Sequence, residues 1–440
     1  MNPSAIEGHL KYVLIEWMII IVAAFVVGRL GKRFLGQPLA VGEIAAGILL
    51  GPSALGLIWP ANWPVLFPDS TQQSLQLLGK LGLIFLLFQV GMEFDYSHLR
   101  SKSKTVTVVS ILGMVTPFLC GIAIAPWLHD RFAPDTPKFG FELFLCIALS
   151  ISALPIMGRI LLEMKLERTA IGAMSISAAA IDDVAGWMLL GLATMLTTTG
   201  FEAMKFFMQL GGIVVFYCLL QFIVGPALRK LWQRSVPNPA DSPMPDGYLA
   251  LLLIGLFTSG LITHELGIFV IFGAFLFGTC LHQEPGLVKA WRDRFSGVVL
   301  VAFVPIFFTN TGLHTQIGSL TGEGWLACGL VLVAAVAGKL GGCFVGAKLT
   351  GQPLREAGSI AALMNTRALM ALIAINIGLD LKLLTPALFT MLVIMALITT
   401  AMCGPLLRWW LPEELRVKKE ELRNEKVSGG RVQVSGRANT

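Results

Sequence analysis

Two adjacent carboxylates, Asp182 and Asp183, stand in the stretch Ser175-Ile176-Ser177-Ala178-Ala179-Ala180-Ile181-Asp182-Asp183-Val184-Ala185-Gly186-Trp187, which is otherwise apolar enough to lie in a bilayer. A charged Asp at the membrane centre costs about 2.5–3.5 kcal/mol on insertion scales, so an acid retained there points to a function. An ionised carboxylate helped by hydroxyls and freed backbone carbonyls is a ligand for a hard monovalent cation. The same group can hold a proton instead, and competition for one site couples cation flow to proton flow in opposite directions. Neighbouring helical residues point about 100° apart. The two acids therefore cannot share a proton: one is expected to face a cavity and the other a neighbouring helix.

Few other ionisable residues interrupt the apolar stretches. Lys339, in Ala335-Val336-Ala337-Gly338-Lys339-Leu340-Gly341-Gly342, is too central to snorkel and is expected to pair with an acid, while the glycines around it let helices approach closely. Arg367, in Met364-Asn365-Thr366-Arg367, is expected to donate to backbone carbonyls where helices cross. Glu16, Glu43, Glu93 and Lys80 are read as internal ion pairs or interface residues.

The elements that must position these groups follow from composition. Hydrophobic residues make up 55% of the 440 and charged residues 14%, and mean hydropathy is +0.74, which describes a polytopic membrane protein whose solvent is the lipid bilayer. The formal charge of +6 does not point to nucleic acid, because the basic residues fall mainly in short loops and near the C-terminal end. The seven cysteines are dispersed singly and read as core residues, with no metal-ligand spacing. Windows of about 20 apolar residues predict thirteen spans, near 11–30, 39–58, 73–93, 105–128, 140–163, 170–198, 206–227, 247–264, 267–282, 296–317, 324–349, 356–379 and 385–410. The first has no small-residue cleavage site and is read as a retained span.

Alternate loops concentrate basic residues, such as Arg29, Lys32 and Arg33 or Arg229, Lys230 and Arg234, whereas the intervening loops carry isolated ones such as Arg131 and Lys382. This asymmetry places the N-terminus outside and the C-terminus in the cytoplasm. A bacterial inner membrane is the expected location. The organisation expected is a transmembrane domain over 1–410 and a short polar tail over 411–440, too small for a regulatory domain. Within the former, repeat one covers about 11–198, a linker helix 206–227, and repeat two about 247–410, joined through the Pro-rich segment 235–245. Seven spans separate equivalent positions, so the repeats are inverted, as in many secondary transporters. The fifth and twelfth spans should then be partners, and both are interrupted: the fifth at Ser150-Ile151-Ser152-Ala153-Leu154-Pro155, the twelfth at Asn365-Thr366-Arg367. Pro155 removes a backbone donor, and Ser150 and Ser152 can bond freed carbonyls.

These residues carry a resemblance. Ala40-Val41-Gly42-Glu43-Ile44-Ala45-Ala46-Gly47-Ile48-Leu49-Leu50-Gly51-Pro52, Phe88-Gln89-Val90-Gly91-Met92-Glu93, the fifth-span break, the Asp pair, Val304-Pro305-Ile306-Phe307-Phe308-Thr309-Asn310-Thr311-Gly312-Leu313, and Leu363-Met364-Asn365-Thr366-Arg367 together resemble the monovalent cation:proton antiporter superfamily. Within it, the chain is similar to the second branch, with the plant cation/proton exchangers and the membrane domain of bacterial potassium-efflux antiporters. The resemblance implies an all-α integral membrane fold of thirteen helices, a dimerisation domain beside a mobile core domain, and crossed fifth and twelfth helices. It also implies that Asp183 is the main carrier, that Asp182 occupies the first acid position, and that Lys339 is its basic partner. The chain departs from plant exchangers in having Asp182 where Asn is usual. It departs from some sodium/proton exchangers in having Leu154 before the proline. The expected activity is exchange of Na⁺ or K⁺ for protons by alternating access, in a homodimer, with no cofactor and no enzymatic reaction. Ser150, Ser152 and backbone carbonyls would complete the ligand set around Asp183 and Asp182. A cation channel or uniporter on the same fold is the alternative, whereas an aspartyl protease would need its acids on separate helices.

Overall fold

The computed structural model describes residues 3–35, 37, 39–93, 103–164, 166, 169–198, 203–267 and 269–412. The tail beyond 412 and the loop residues Arg100, Lys102, Lys165 and Arg168 lie outside the described residues. Among the described residues all regular elements are helical. The principal ones are α1 (Pro3–Leu30), α2 (Leu39–Leu50), α3 (Gln72–Glu93), α4 (Ser103–Phe132), α5 (Lys138–Ser150), α6 (Leu154–Met164), α7 (Ala170–Thr198) and α8 (Ala203–Leu219). They continue with α9 (Asp246–Glu265), α10 (Val270–Thr279), α11 (Val304–Leu313), α12 (Gly322–Leu349), α13 (Leu354–Met364), α14 (Ala368–Asp380) and α15 (Pro386–Trp410).

Nine helices among the described residues are long and apolar enough to cross a bilayer, or ten with the pair Pro285–Ser296 and Val299–Leu313, which bends by 46°. The other predicted spans correspond to shorter pieces. The fifth is α5 and α6, the twelfth α13 and α14, and the ninth is only α10. Ten helical residues rise about 15 Å, half the hydrocarbon thickness of about 30 Å, so α10 cannot span alone.

The breaks have local causes. In a continuous helix Pro155 would clash with the carbonyl of Ile151 and remove a bond; as the second residue of α6 it occupies a first turn whose N–H groups have no helical acceptor anyway. Ile151 is accordingly extended, with φ −70° and ψ 138°. At the other break Asn365, Thr366 and Arg367 interrupt the run, the first two being weak helix formers, and Arg367 sits at φ −128°.

The helices sort into two groups by packing. In one, α1 packs on α2, α2 on α11, α3 on α10 and α11, and α9 on α10. In the other, α4 packs on α12, α5 and α7, while α12, α13 and α14 pack on α15. The contact of α2 with α11 has a counterpart in that of α10 with α3, and glycines permit both. A β-carbon on Gly47 would lie 2.8 Å from Gly312 Cα, and one on Gly91 3.1 Å from Gly278 Cα. In the second group a β-carbon on Gly338 would lie 2.6 Å from Pro117 Cα, so α4 and α12 touch backbone to backbone beside Lys339. Residues such as Phe207, Met208, Val215, Phe222 and Ile223 project outward from the span Phe207–Ser235, a surface suited to lipid.

Among the described residues, polar contacts that join the two groups include Gln37 Nε2 to the Ala401 carbonyl at 3.4 Å and the Gln316 N–H to Thr390 Oγ1 at 3.1 Å. Asn376 Nδ2 of α14 donates to Thr311 Oγ1 of α11 at 3.2 Å, and Lys80 of α3 pairs with Asp380 at 3.6 Å across exposed side chains.

Candidate functional site

The two helix breaks meet. The backbone N–H of Ala153 donates to the carbonyl of Thr366 at 2.8 Å, so each unwound segment supplies what the other lacks. A break leaves carbonyls at the C-terminal end of the first half-helix without partners and gathers negative partial charge there. Two buried cations take up this charge. Arg367 donates through Nη1 to the Leu149 carbonyl and through Nη2 to the Ala335 carbonyl at 2.7 Å, and Lys339 Nζ donates to the Ser150 carbonyl at 2.7 Å.

Lys339 also meets the acid pair. Its Nζ donates to Asp182 Oδ2 at 2.7 Å, with both side chains fully buried. Asp182 is saturated by hydroxyls as well. Ser152 Oγ donates to Oδ2 at 2.9 Å and lies 3.1 Å from the Met364 carbonyl, while Ser110 Oγ of α4 donates to Oδ1 at 2.5 Å. Removing one partner of a buried ion pair leaves an uncompensated charge, so this cluster fixes α4, α7, α12 and the α5–α6 break in one arrangement.

Asp183 differs. It is 3% exposed, the backbone at the start of α6 (Leu154) lies beside it, and its Oδ1 has no hydrogen-bond partner among the described residues. A buried carboxylate oxygen without a donor, beside the positive end of a half-helix, can accept a proton or a cation without dismantling the neighbouring cluster.

The remaining predicted site residues fall at the same crossing with different duties. Ser150 turns its hydroxyl back to the Cys146 carbonyl at 2.7 Å and offers Lys339 only its own carbonyl, so its hydroxyl is not part of the acid cluster. Thr366 Oγ1 bonds the Leu363 carbonyl at 2.8 Å; Asn365 Nδ2 lies 3.5 Å from the Thr399 carbonyl, and its Oδ1 has no partner among the described residues. Pro155 opens α6. Ser110 was not singled out by the sequence, because hydroxyls at Thr105, Thr107 and Thr116 in the same span look equivalent to it. Glu16 meets a hydroxyl, Thr71 Oγ1 at 2.6 Å, and no basic side chain among the described residues, while Glu93 pairs with Arg292 at 3.0 Å.

Two helix groups with crossed broken helices beside a buried acid pair form an arrangement common among secondary transporters. Residues 20–412 match the family described as sodium/hydrogen exchanger, transmembrane, and the chain belongs to that family. The Na(+)/H(+) antiporter NhaS4 of Synechocystis sp. is 37% identical over 401 residues, covering 90% of this chain and 96% of that protein. Cation/H(+) antiporter 20 of Arabidopsis thaliana is 36% identical over 84% of this chain, which spans 45% of the plant protein's length. The K(+)/H(+) antiporter 1 of Saccharomyces cerevisiae is 28% identical, over 86% of this chain and 44% of its own length. Among solved structures, the sodium proton antiporter MjNhaP1 of Methanocaldococcus jannaschii superposes with a TM-score of 0.63 at 16% identity, covering 93% of this chain and 99% of that one, a likeness of fold.

Proposed function

We propose that this protein is a secondary antiporter that exchanges a monovalent cation, Na⁺ or K⁺, for protons, with Asp183 carrying both in turn. The observation that carries the reading is the contrast within the acid pair: Asp182 is neutralised by Lys339 and bonded by two serines, whereas Asp183 Oδ1 is buried with no partner among the described residues. A cation bound at Asp183 would take further oxygen ligands from the break, where Asn365 Oδ1 is also unpartnered. The reading is consistent with the Na(+)/H(+) and K(+)/H(+) antiport that NhaS4 and the yeast relative are named for.

The group containing α4–α7 and α12–α15 would move as a body against the group containing α1–α3 and α9–α11, which would also form the homodimer contact. The polar contacts between the groups among the described residues, such as Asn376 with Thr311, are single hydrogen bonds that such sliding would exchange. The full plan of thirteen spans in two inverted repeats, about 11–198 and 247–410, with the N-terminus outside and the C-terminus cytoplasmic in a bacterial inner membrane, belongs to the same proposal. The matched crossings of α2 with α11 and α10 with α3 support it.

The test is reconstitution in liposomes carrying an internal pH dye, with Na⁺, K⁺, Li⁺ or Rb⁺ added outside and membrane potential recorded in parallel. Cation-driven pH change in the wild type that disappears in Asp183→Asn is expected. Cation flux with no proton counter-movement would make the protein a channel or uniporter and overturn the proposal.

A further inference from the structure

Beside Asp183 the two helix groups meet through aromatic rings. Trp187 follows Asp183 by four residues on α7, so it lies about 6 Å further along the axis and about 40° around it, on the same face. Its indole is 1% exposed and meets two rings of the other group, Phe269 and Phe272, each with its centroid 5.9 Å away. Phe272, in the first turn of α10, is likewise 1% exposed. A β-carbon on Gly186 would lie 3.1 Å from Ile151 Cγ1, which sets Trp187 one residue from the contact with the fifth-span break.

The two phenylalanines are held on firm backbone. Phe269 is extended, with φ −66° and ψ 139°, just before α10 starts at Val270. Ser259 Oγ donates to the Gly273 carbonyl at 2.7 Å, and a β-carbon on Gly273 would lie 2.7 Å from the Ser259 carbonyl carbon, so the start of α10 is seated on α9. One turn the other way along α7 the matching positions are Ala179 and Ala180, whose side chains are methyl groups. The bulk that α7 sets beside Asp183 therefore lies toward the C-terminal end of the helix. A hydrated cation passing the three rings would shed water with no oxygen to replace it, which is how apolar constrictions hold back ions.

We propose that Trp187, Phe269 and Phe272 form the barrier that closes the path to Asp183 from the C-terminal end of α7, the outer side in the orientation given above, and that Trp187 leaves the two phenylalanines when the moving group shifts. Trp187 is then the residue that keeps cation and proton flow coupled, because without it Asp183 would be reached from both sides at once. The inference rests on the antiport reading and adds to it the residues that enforce coupling.

The experiment measures, in the same proteoliposomes, uptake of ²²Na⁺ or ⁸⁶Rb⁺ and the internal pH change that accompanies it. The vesicles start free of alkali cation, and a permeant anion such as thiocyanate keeps the membrane potential small. Wild type should show one fixed pH change per cation taken up, and Trp187→Phe, which keeps a ring in the barrier, should retain that ratio. In Trp187→Ala uncoupled flux should rise by about tenfold or more, so the pH change per cation falls. Phe272→Ala, which opens the same barrier from the other helix group, should act in the same direction and carries the test if Trp187→Ala does not fold. The wild-type ratio in either alanine variant, or loss of all flux in folded Trp187→Ala, overturns the proposal and leaves Trp187 a packing residue. A wild type without coupled exchange would instead refute the antiport reading itself, before any variant is compared.

Discussion

Replacing Lys339 by Met keeps most of the length of the side chain and removes its charge. The structure then leaves Asp182 fully buried with hydroxyl donors from Ser110 and Ser152 but no counter-charge, and leaves the Ser150 carbonyl without its donor. Removing one partner of a buried pair costs about 3–5 kcal/mol. With about 2.1 cal/mol/K of unfolding entropy per residue, 440 residues give roughly 0.9 kcal/mol/K, so the loss corresponds to a fall of about 3–5 °C in Tm. Asp182→Asn in the same background removes the stranded charge. The double variant Asp182→Asn/Lys339→Met should recover part of the loss, with an interaction energy of about 0.5–3 kcal/mol. The ten tryptophans make thermal melts by intrinsic fluorescence the natural assay on purified protein. A Lys339→Met protein that melts with the wild type, or strictly additive single and double variants, would refute the argument.

Other consequences follow from the same geometry. Arg367→Lys keeps a charge but loses the planar fork that reaches both Leu149 and Ala335 carbonyls; each lost charged bond costs about 1.5–3 kcal/mol, and both Tm and cation-driven proton flux should fall. Ser110→Ala removes the 2.5 Å bond to Asp182 and should cost about 1.5–3 kcal/mol in the same melts. Gly278→Ala would push a methyl against the Phe88 carbonyl and to 2.9 Å from Met92 N; because both are helix backbone that cannot yield, a loss of about 1–3 kcal/mol is expected, read as lower Tm and poorer yield.

Much of the site was legible because in a bilayer-spanning chain every polar residue stands out against an apolar background. Asp182, Asp183, Lys339 and Arg367 are conspicuous for that reason, and Pro155 marks one break by the bond it cannot make. Arg367 bonds the Leu149 and Ala335 backbone carbonyls. What the sequence could not convey is rotation about each helix axis. A span that is apolar on all sides gives no periodic signal for which face meets which neighbour, so Ser110 could not be told from Thr105 or Thr107. Ser150 illustrates a second limit: a serine near a helix end can turn its hydroxyl to the carbonyl four residues back, as it does with Cys146, and offer the site its backbone carbonyl instead. Glu16 finds its hydroxyl partner Thr71 across 55 positions of sequence, a pairing no local pattern announces. The ninth span is shorter than its apolar window, because extended Phe269 delays the start of α10 to Val270.

The central claim is that Asp183 alone of the two acids exchanges its ligand while Asp182 stays bound to Lys339. The most direct measurement is ²²Na⁺ or ⁸⁶Rb⁺ counterflow in proteoliposomes at equal pH on both sides, with Asp183→Asn compared with wild type. Isotope exchange in the wild type and none in Asp183→Asn is the predicted result; exchange at the wild-type rate in Asp183→Asn would contradict it.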